Sequence, residues 1–195
     1  EKQFSDPAVP QPTEVRRERM AILWDMGQRE EAEQLYEELI KQSDDTSILF
    51  TRLNLAGQDA TPQEFHRLCQ QWAGYHPQRF PAVFEAIVDE MIKTKNSDAF
   101  TVALQMTDEF LNQHPDSALP YFVKAKLLHQ TGQKEQAIAW YEKTLEKDPE
   151  HAVAMNNLAW ILCTEKNEHE KPLQLAGRGL AIKPDYVDLL DTRGV

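Results

Sequence analysis

Proline returns in this chain at a nearly fixed interval. Pro77, Pro115, Pro149 and Pro184 follow His76, His114, Asp148 and Lys183, at spacings of 38, 34 and 35 residues. Proline cannot continue a helix and keeps the residue before it out of the helical region, so prolines at this interval end one structural unit and open the next. Eight residues before each proline stands the second member of a pair four apart: Phe65 and Cys69, Ala103 and Thr107, Ala137 and Tyr141, Pro172 and Ala176. Ala32 and Tyr36 join the series, with Asp44 at the proline place. A spacing of four puts both members of a pair on one helix face. Upstream of each pair lies a second amphipathic stretch, divided from it by a turn: MGQ at Gly27, AGQDATP, KTKNSD, TGQ at Gly132 and TEKNEHEKP. The period predicts tandem helix-turn-helix units. Gly27 and Gly132 are expected at helix C-termini with positive φ, each followed by Gln and a new helix.

Composition narrows what such an array can do. Lys and Arg number 21 against 32 Asp and Glu, a net charge of −11, which provides no general basic field for nucleic acid or anionic lipid. The mean hydropathy of −0.60 and the lack of any run near ~18 apolar residues predict a soluble chain with no membrane insertion. Cys69 and Cys163 lie far apart with no CxxC spacing, giving neither a disulfide framework nor a zinc knuckle, and leaving the compartment open between cytoplasm and periplasm. Residues 1–13, with Pro7, Pro10 and Pro12, read as a linker or tail, and 14–195 as the array. The chain begins at Glu1 and ends at Val195 inside a helical pattern, so both ends are expected to be cut from something longer, with removal of an N-terminal segment.

The pattern resembles the tetratricopeptide repeat, whose signature is W-x2-L-G-x2-Y, then A-x3-F, then P, over about 34 residues. The stretch from Ala118 to His151 fits best, with Tyr121, Ala125, Leu128, Gly132, Ala137, Tyr141 and Pro149, and Lys124 at the leucine place. The next unit reads Met155, Leu158, Ala159, Leu162, Pro172, Ala176 and Pro184. The first and second units carry Arg19 and Arg52 where leucine is usual, and Phe84, Ile87, Val88 and Met91 supply the first-helix face of the third. A sixth unit begins at Leu190 and Gly194. The resemblance implies an all-α fold, an α-α superhelix or right-handed solenoid of about ten helices with a concave inner face. It implies binding of a peptide or partner helix in that groove, without catalysis or cofactor.

On each first helix the core positions are 0, +3, +4 and +7, and those at +1, +5 and +8 lie about 80–140° round from them. Those positions hold Arg17, Ala21 and Trp24; Phe50, Asn54 and Gly57; Glu85, Asp89 and Ile92; Phe122, Lys126 and His129; Asn156, Trp160 and Cys163. Phe122, Lys126, Asn156 and Trp160, from the two best-formed units, are the expected partner-binding residues, joined by Trp24, Phe50 and Asn54. Asn157 is added because the family commonly keeps asparagine there. A second reading stays open for Trp24, Phe50, Phe122 and Trp160, that each packs against the neighbouring first helix. Family members that clamp a terminal carboxylate use Lys, Arg and Asn at groove places that hold Arg17, Ala21 and Thr51 here, so that clamp is not expected. The six histidines lack metal-site spacing, and no phosphate loop or nucleophile elbow occurs, so no metal site or enzyme activity is expected. An alternative is a recruiting or regulatory arm of an enzyme, for example a glycosyltransferase or a secretion-related complex, whose catalytic part lies outside this chain.

Overall fold

A computed structural model describes residues 12–56, 61–93, 97–166 and 169–184, with backbone alone at 97, 165 and 166. The expected Gly57, Leu190 and Gly194, and all but the end of the tail, lie outside the described residues. Those described form ten helices and no strand: α1 (Thr13–Asp25), α2 (Arg29–Gln42), α3 (Thr46–Ala56), α4 (Pro62–Tyr75), α5 (Phe80–Lys93), α6 (Ser97–Gln113), α7 (Ala118–Gln130), α8 (Lys134–Lys147), α9 (Ala152–Lys166) and α10 (Glu170–Ile182). The helices alternate as first and second members of five pairs. Pro77, Pro115, Pro149 and Pro184 each stand two residues beyond the last residue of a second helix, and Asp44 has the same offset from α2. Pro172, at the alanine place, falls in the first turn of α10, where its missing N–H has no intrahelical acceptor to forgo.

Both turn glycines take the conformation expected of them, φ 79° at Gly27 and 76° at Gly132. The Gly27 N–H donates to the Trp24 carbonyl and that of Gln28 to Leu23, and the same two bonds run from Gly132 to His129 and from Gln133 to Leu128. These are Schellman closures, which satisfy the last carbonyls of a first helix and reverse the chain into the second.

Contacts divide the chain into two compact units, Glu1–Ala99 and Phe100–Val195, with the boundary inside α6. In the first unit, α3 packs on α1 and α2, and α4 packs on α2, α3 and α5. In the second, α8 lies against α7 and α9, and α9 against α10. Every residue of the five spaced pairs is buried. Ala125, Ala137 and Ala159 admit the close approach of helices, and Tyr141 with Phe122, Leu128, Met155, Leu158 and Leu162 fills the remaining space of one cluster. Cys69 belongs to the same spaced series, and burial pushes its thiol up to about 12, leaving it inert as a nucleophile.

Of the charged residues at leucine places, Arg19 is exposed, Lys124 is half-buried and Arg52 lies in the interior. Arg52 is 1 % exposed, and its Nη2 donates to Glu33 on α2 and, at 2.8 Å, to Glu64 on α4. Its Nε and Nη1 find no acceptor among the described residues, while its guanidinium lies 4.3 Å from the centre of the Trp24 ring. In the second unit the Lys124 ammonium pairs with Asp108 at 2.5 Å and lies 4.4 Å from the Trp140 ring. Each cation has a carboxylate from a preceding second helix and an aromatic face, which offset part of its desolvation.

Two measurements check this account of the core. Ala137→Leu should cost about 1–3 kcal/mol in chemical denaturation through overpacking. Gly132→Ala, whose added Cβ meets nothing within 4 Å, should cost only the about 1–2 kcal/mol of left-handed backbone. For the buried charge, Glu33→Gln with Glu64→Gln leaves Arg52 without a counterion and should cost about 3–5 kcal/mol. Arg52→Leu should be neutral or stabilising, because both glutamates are about one-third exposed and turn to water once released. The opposite ranking of those two variants would contradict the burial of that charge.

Candidate functional site

The first-helix stripe meets different fates in the two units. In the first, Arg17 on α1 donates to the Ser47 hydroxyl on α3, tying one expected groove position to its neighbour. Trp24, near the end of α1, has the Arg29 guanidinium 3.8 Å and the Arg52 guanidinium 4.3 Å from its ring centre. Trp24 therefore joins α1, α2 and α3. Phe50 is half-buried and Asn54 exposed on α3.

In the second unit the residues expected to act together separate into core and surface. Phe122 is 2 % exposed, within the main apolar cluster, with its ring 4.6 Å from that of His151 and 6.1 Å from that of Tyr141. His151 stands just before α9, where its Nδ1 accepts from the Ala154 N–H, and its ring lies beside that of Phe122. The packing reading thus describes Phe122, and its truncation is an experiment on folding. Asn157 donates through Nδ2 to the Tyr141 hydroxyl at 3.1 Å, binding α9 to α8. At about 200° from Met155 it lies off the 80–140° stripe, on the side that meets α8 in the structure.

What remains on the first-helix face is compact. Trp160 on α9 is 41 % exposed, and its ring rests 5.5 Å from that of His129 on α7. The +8 position of one unit thus meets the +5 position of the next, as neighbouring-helix register requires. Lys126 is half-buried, with its ammonium 5.8 Å from the Phe122 ring, and Asn156, one turn before Trp160, is buried to all but its edge. Cys163 is half-buried with a free thiol. Together these side chains offer an aromatic ledge, a cation and an amide on one face of the unit.

Two other histidines serve local packing. His76 rests on Trp72 at 4.9 Å and its Nε2–H donates to the Ile40 carbonyl, and His114, the repeat equivalent, rests on Phe110 at 4.5 Å. Among the described residues no group of three or more His, Cys, Asp or Glu is placed to hold a metal ion, and no helix is long and apolar enough to cross a membrane.

Sequence reasoning missed Arg29, which lies on a second helix and outside the stripe, and the Tyr141–Asn157 tie. A basic residue five positions after Trp24, across a turn known to reverse the chain, was the available signal for the former.

Comparison with known proteins places this geometry. No curated protein sequence matches the chain. The solved structure of YrrB, described as a TPR protein with an unusual peptide-binding site, superposes with TM-score 0.55 at 17 % identity, covering 92 % of this chain and 91 % of that one. A crystal structure of MamA gives TM-score 0.55 at 15 % identity over 76 % of each chain. MamA from Desulfovibrio magneticus RS-1 gives 0.54 at 17 % identity, covering 92 % of this chain and 99 % of that one. At such identities the likeness shows the fold, an all-α array of helix-turn-helix repeats of the α-α superhelical class. A profile of the tetratricopeptide repeat matches residues 6–180, and with the spaced pairs, the proline stops and the Schellman turns it shows that the chain belongs to the tetratricopeptide-repeat family.

Proposed function

We propose that this protein is a non-catalytic interaction module that binds a peptide segment or a partner helix on the first-helix face of its second unit, at Lys126, His129, Asn156 and Trp160. The observation that carries the reading is Trp160. A tryptophan at a core-forming array's surface, 41 % exposed and steadied from one side by His129, is a large amphipathic ring with one face to offer. The Lys126 ammonium lies on the preceding first helix, suited to a carboxylate of the bound segment, and the Asn156 amide can both donate to and accept from a peptide backbone. Support of a second kind comes from YrrB, whose structure is described by its peptide-binding site and whose fold this chain shares. Phe50 and Asn54 on α3 form a separate candidate contact within the first unit, where Trp24 packs with Arg29 and Arg52.

Selection of peptides from a random display library on the intact chain, followed by titration of the recovered sequences, tests the reading. Trp160→Ala and Lys126→Glu should each weaken them at least about tenfold, with melting unchanged for Trp160→Ala. Phe122→Ala should instead cost about 3–5 kcal/mol of stability. Peptides insensitive to both surface variants, and sensitive to Glu142→Ala or Glu146→Ala on α8, would move the site to the second-helix face and contradict the proposal.

A further inference from the structure

The two first helices that carry the aromatic ledge are poor in acidic residues. The chain holds 32 Asp and Glu in 195 residues, yet α7 has none and α9 none before Glu165, while α1 and α5 carry three each. Two lysines stand on α7, Lys124 and Lys126, about 200° apart round the helix, so they leave it on different sides. Lys124 pairs with Asp108 on α6, and Lys126 belongs to the stripe of His129. The stripe of Phe122, Lys126, His129, Asn156, Trp160 and Cys163 thus holds a cation and no carboxylate, on a chain whose net charge is −11. An anionic ligand side chain fits that face better than a cationic one.

Side chains on the face stand at two levels. Two chain reversals separate α7 from α9, so the helices run in the same direction. The His129 and Trp160 rings meet at 5.5 Å and mark one level. Lys126 lies three residues, about 4.5 Å, before His129, and Asn156 lies four residues, about 6 Å, before Trp160. The Lys126 ammonium, 5.8 Å from the Phe122 ring, leans further back and lengthens the step. Because the two rings meet across the seam between α7 and α9, the seam is closed at their level, and a helix about 10 Å wide finds no furrow to enter. An extended segment needs no furrow. Its alternate side chains point to one face about 6.6 Å apart, close to the step from the Trp160 ring to the Lys126 ammonium.

We propose that the segment bound on this face is extended and carries an acidic residue two positions from an aromatic one, with the carboxylate at Lys126 and the ring on Trp160. The proposal rests on the groove reading above and adds to it the ligand's conformation, charge and register. Contact between rings supplies most of the attraction, and the ammonium fixes which way the segment lies.

A display library of random peptides with one fixed phenylalanine, selected on the intact chain, tests it. Recovered sequences should carry Asp or Glu two positions from the phenylalanine, and selection on Lys126→Glu should put Lys or Arg at the same offset. In titrations of a recovered peptide, replacing its acid by the amide should weaken binding to the wild-type chain about three- to fivefold and change binding to Lys126→Gln by less than about twofold. Peptides that need Trp160 yet hold their acid three or four positions away, as a helix would, or that show no preference of charge, would overturn this proposal and leave the groove reading standing. Peptides indifferent to Trp160→Ala would overturn both.

Discussion

No helix pair in this chain closes a core by itself. The apolar side chains of α9, from Ala154 to Leu162, belong to one cluster with Phe122, Ala125 and Leu128 of α7 and Ala137 and Tyr141 of α8. Remove the preceding pair and α9 keeps only α10 to pack on, losing every α7 and α8 side chain of the cluster. That dependence of each repeat on its neighbour fixes the other features of the sequence. The small residue at Ala125, Ala137 or Ala159 exists so that helices can approach, the aromatic four places on fills the gap, and the glycine turn and proline stop keep each unit in step with the next. Function on such a framework belongs to side chains that the stacking leaves over.

The five spaced pairs were legible because a helix period and a repeat period reinforce one another, and all ten of their residues are buried. Gly27 and Gly132 were legible because a glycine between a helical stretch and a new helix start has one main use. The candidate site was legible only as an angle. Phe122 and Trp160 occupy the same stripe, yet one lies in the core and the other faces solvent. The +1 residues Phe122 and Asn156 turn into the packing, with Phe122 in the main cluster beside His151, while Trp160 at +5 turns out. A helical wheel gives direction about one axis and says nothing of what waits there. Asn157 was placed in the groove by the family's habit alone, and the structure bonds it to Tyr141 on α8.

The departures from the repeat pattern form a set of their own. Arg52 and Lys124 stand where leucine is usual, and each brings a buried or half-buried cation against an acidic residue and a tryptophan. Charged pairs in that position do less for stability than leucine would, and they bind specific elements together: Arg52 engages α1, α2 and α4 at once. In the first unit Trp24 is held between helices by the Arg29 and Arg52 guanidiniums. In the second unit Trp160 is 41 % exposed, and its ring rests on that of His129.

The chain holds four tryptophans, Trp24, Trp72, Trp140 and Trp160, whose indole N–H groups can be followed separately by nitrogen–proton correlation spectroscopy once assigned. Titrating a display-selected peptide into the labelled protein reads the surface directly. The account predicts that the Trp160 indole shifts most, with the backbone amides of Lys126 and His129, while the buried Trp72 stays in place. A peptide that shifts Trp140 on α8 and leaves Trp160 unmoved would contradict it.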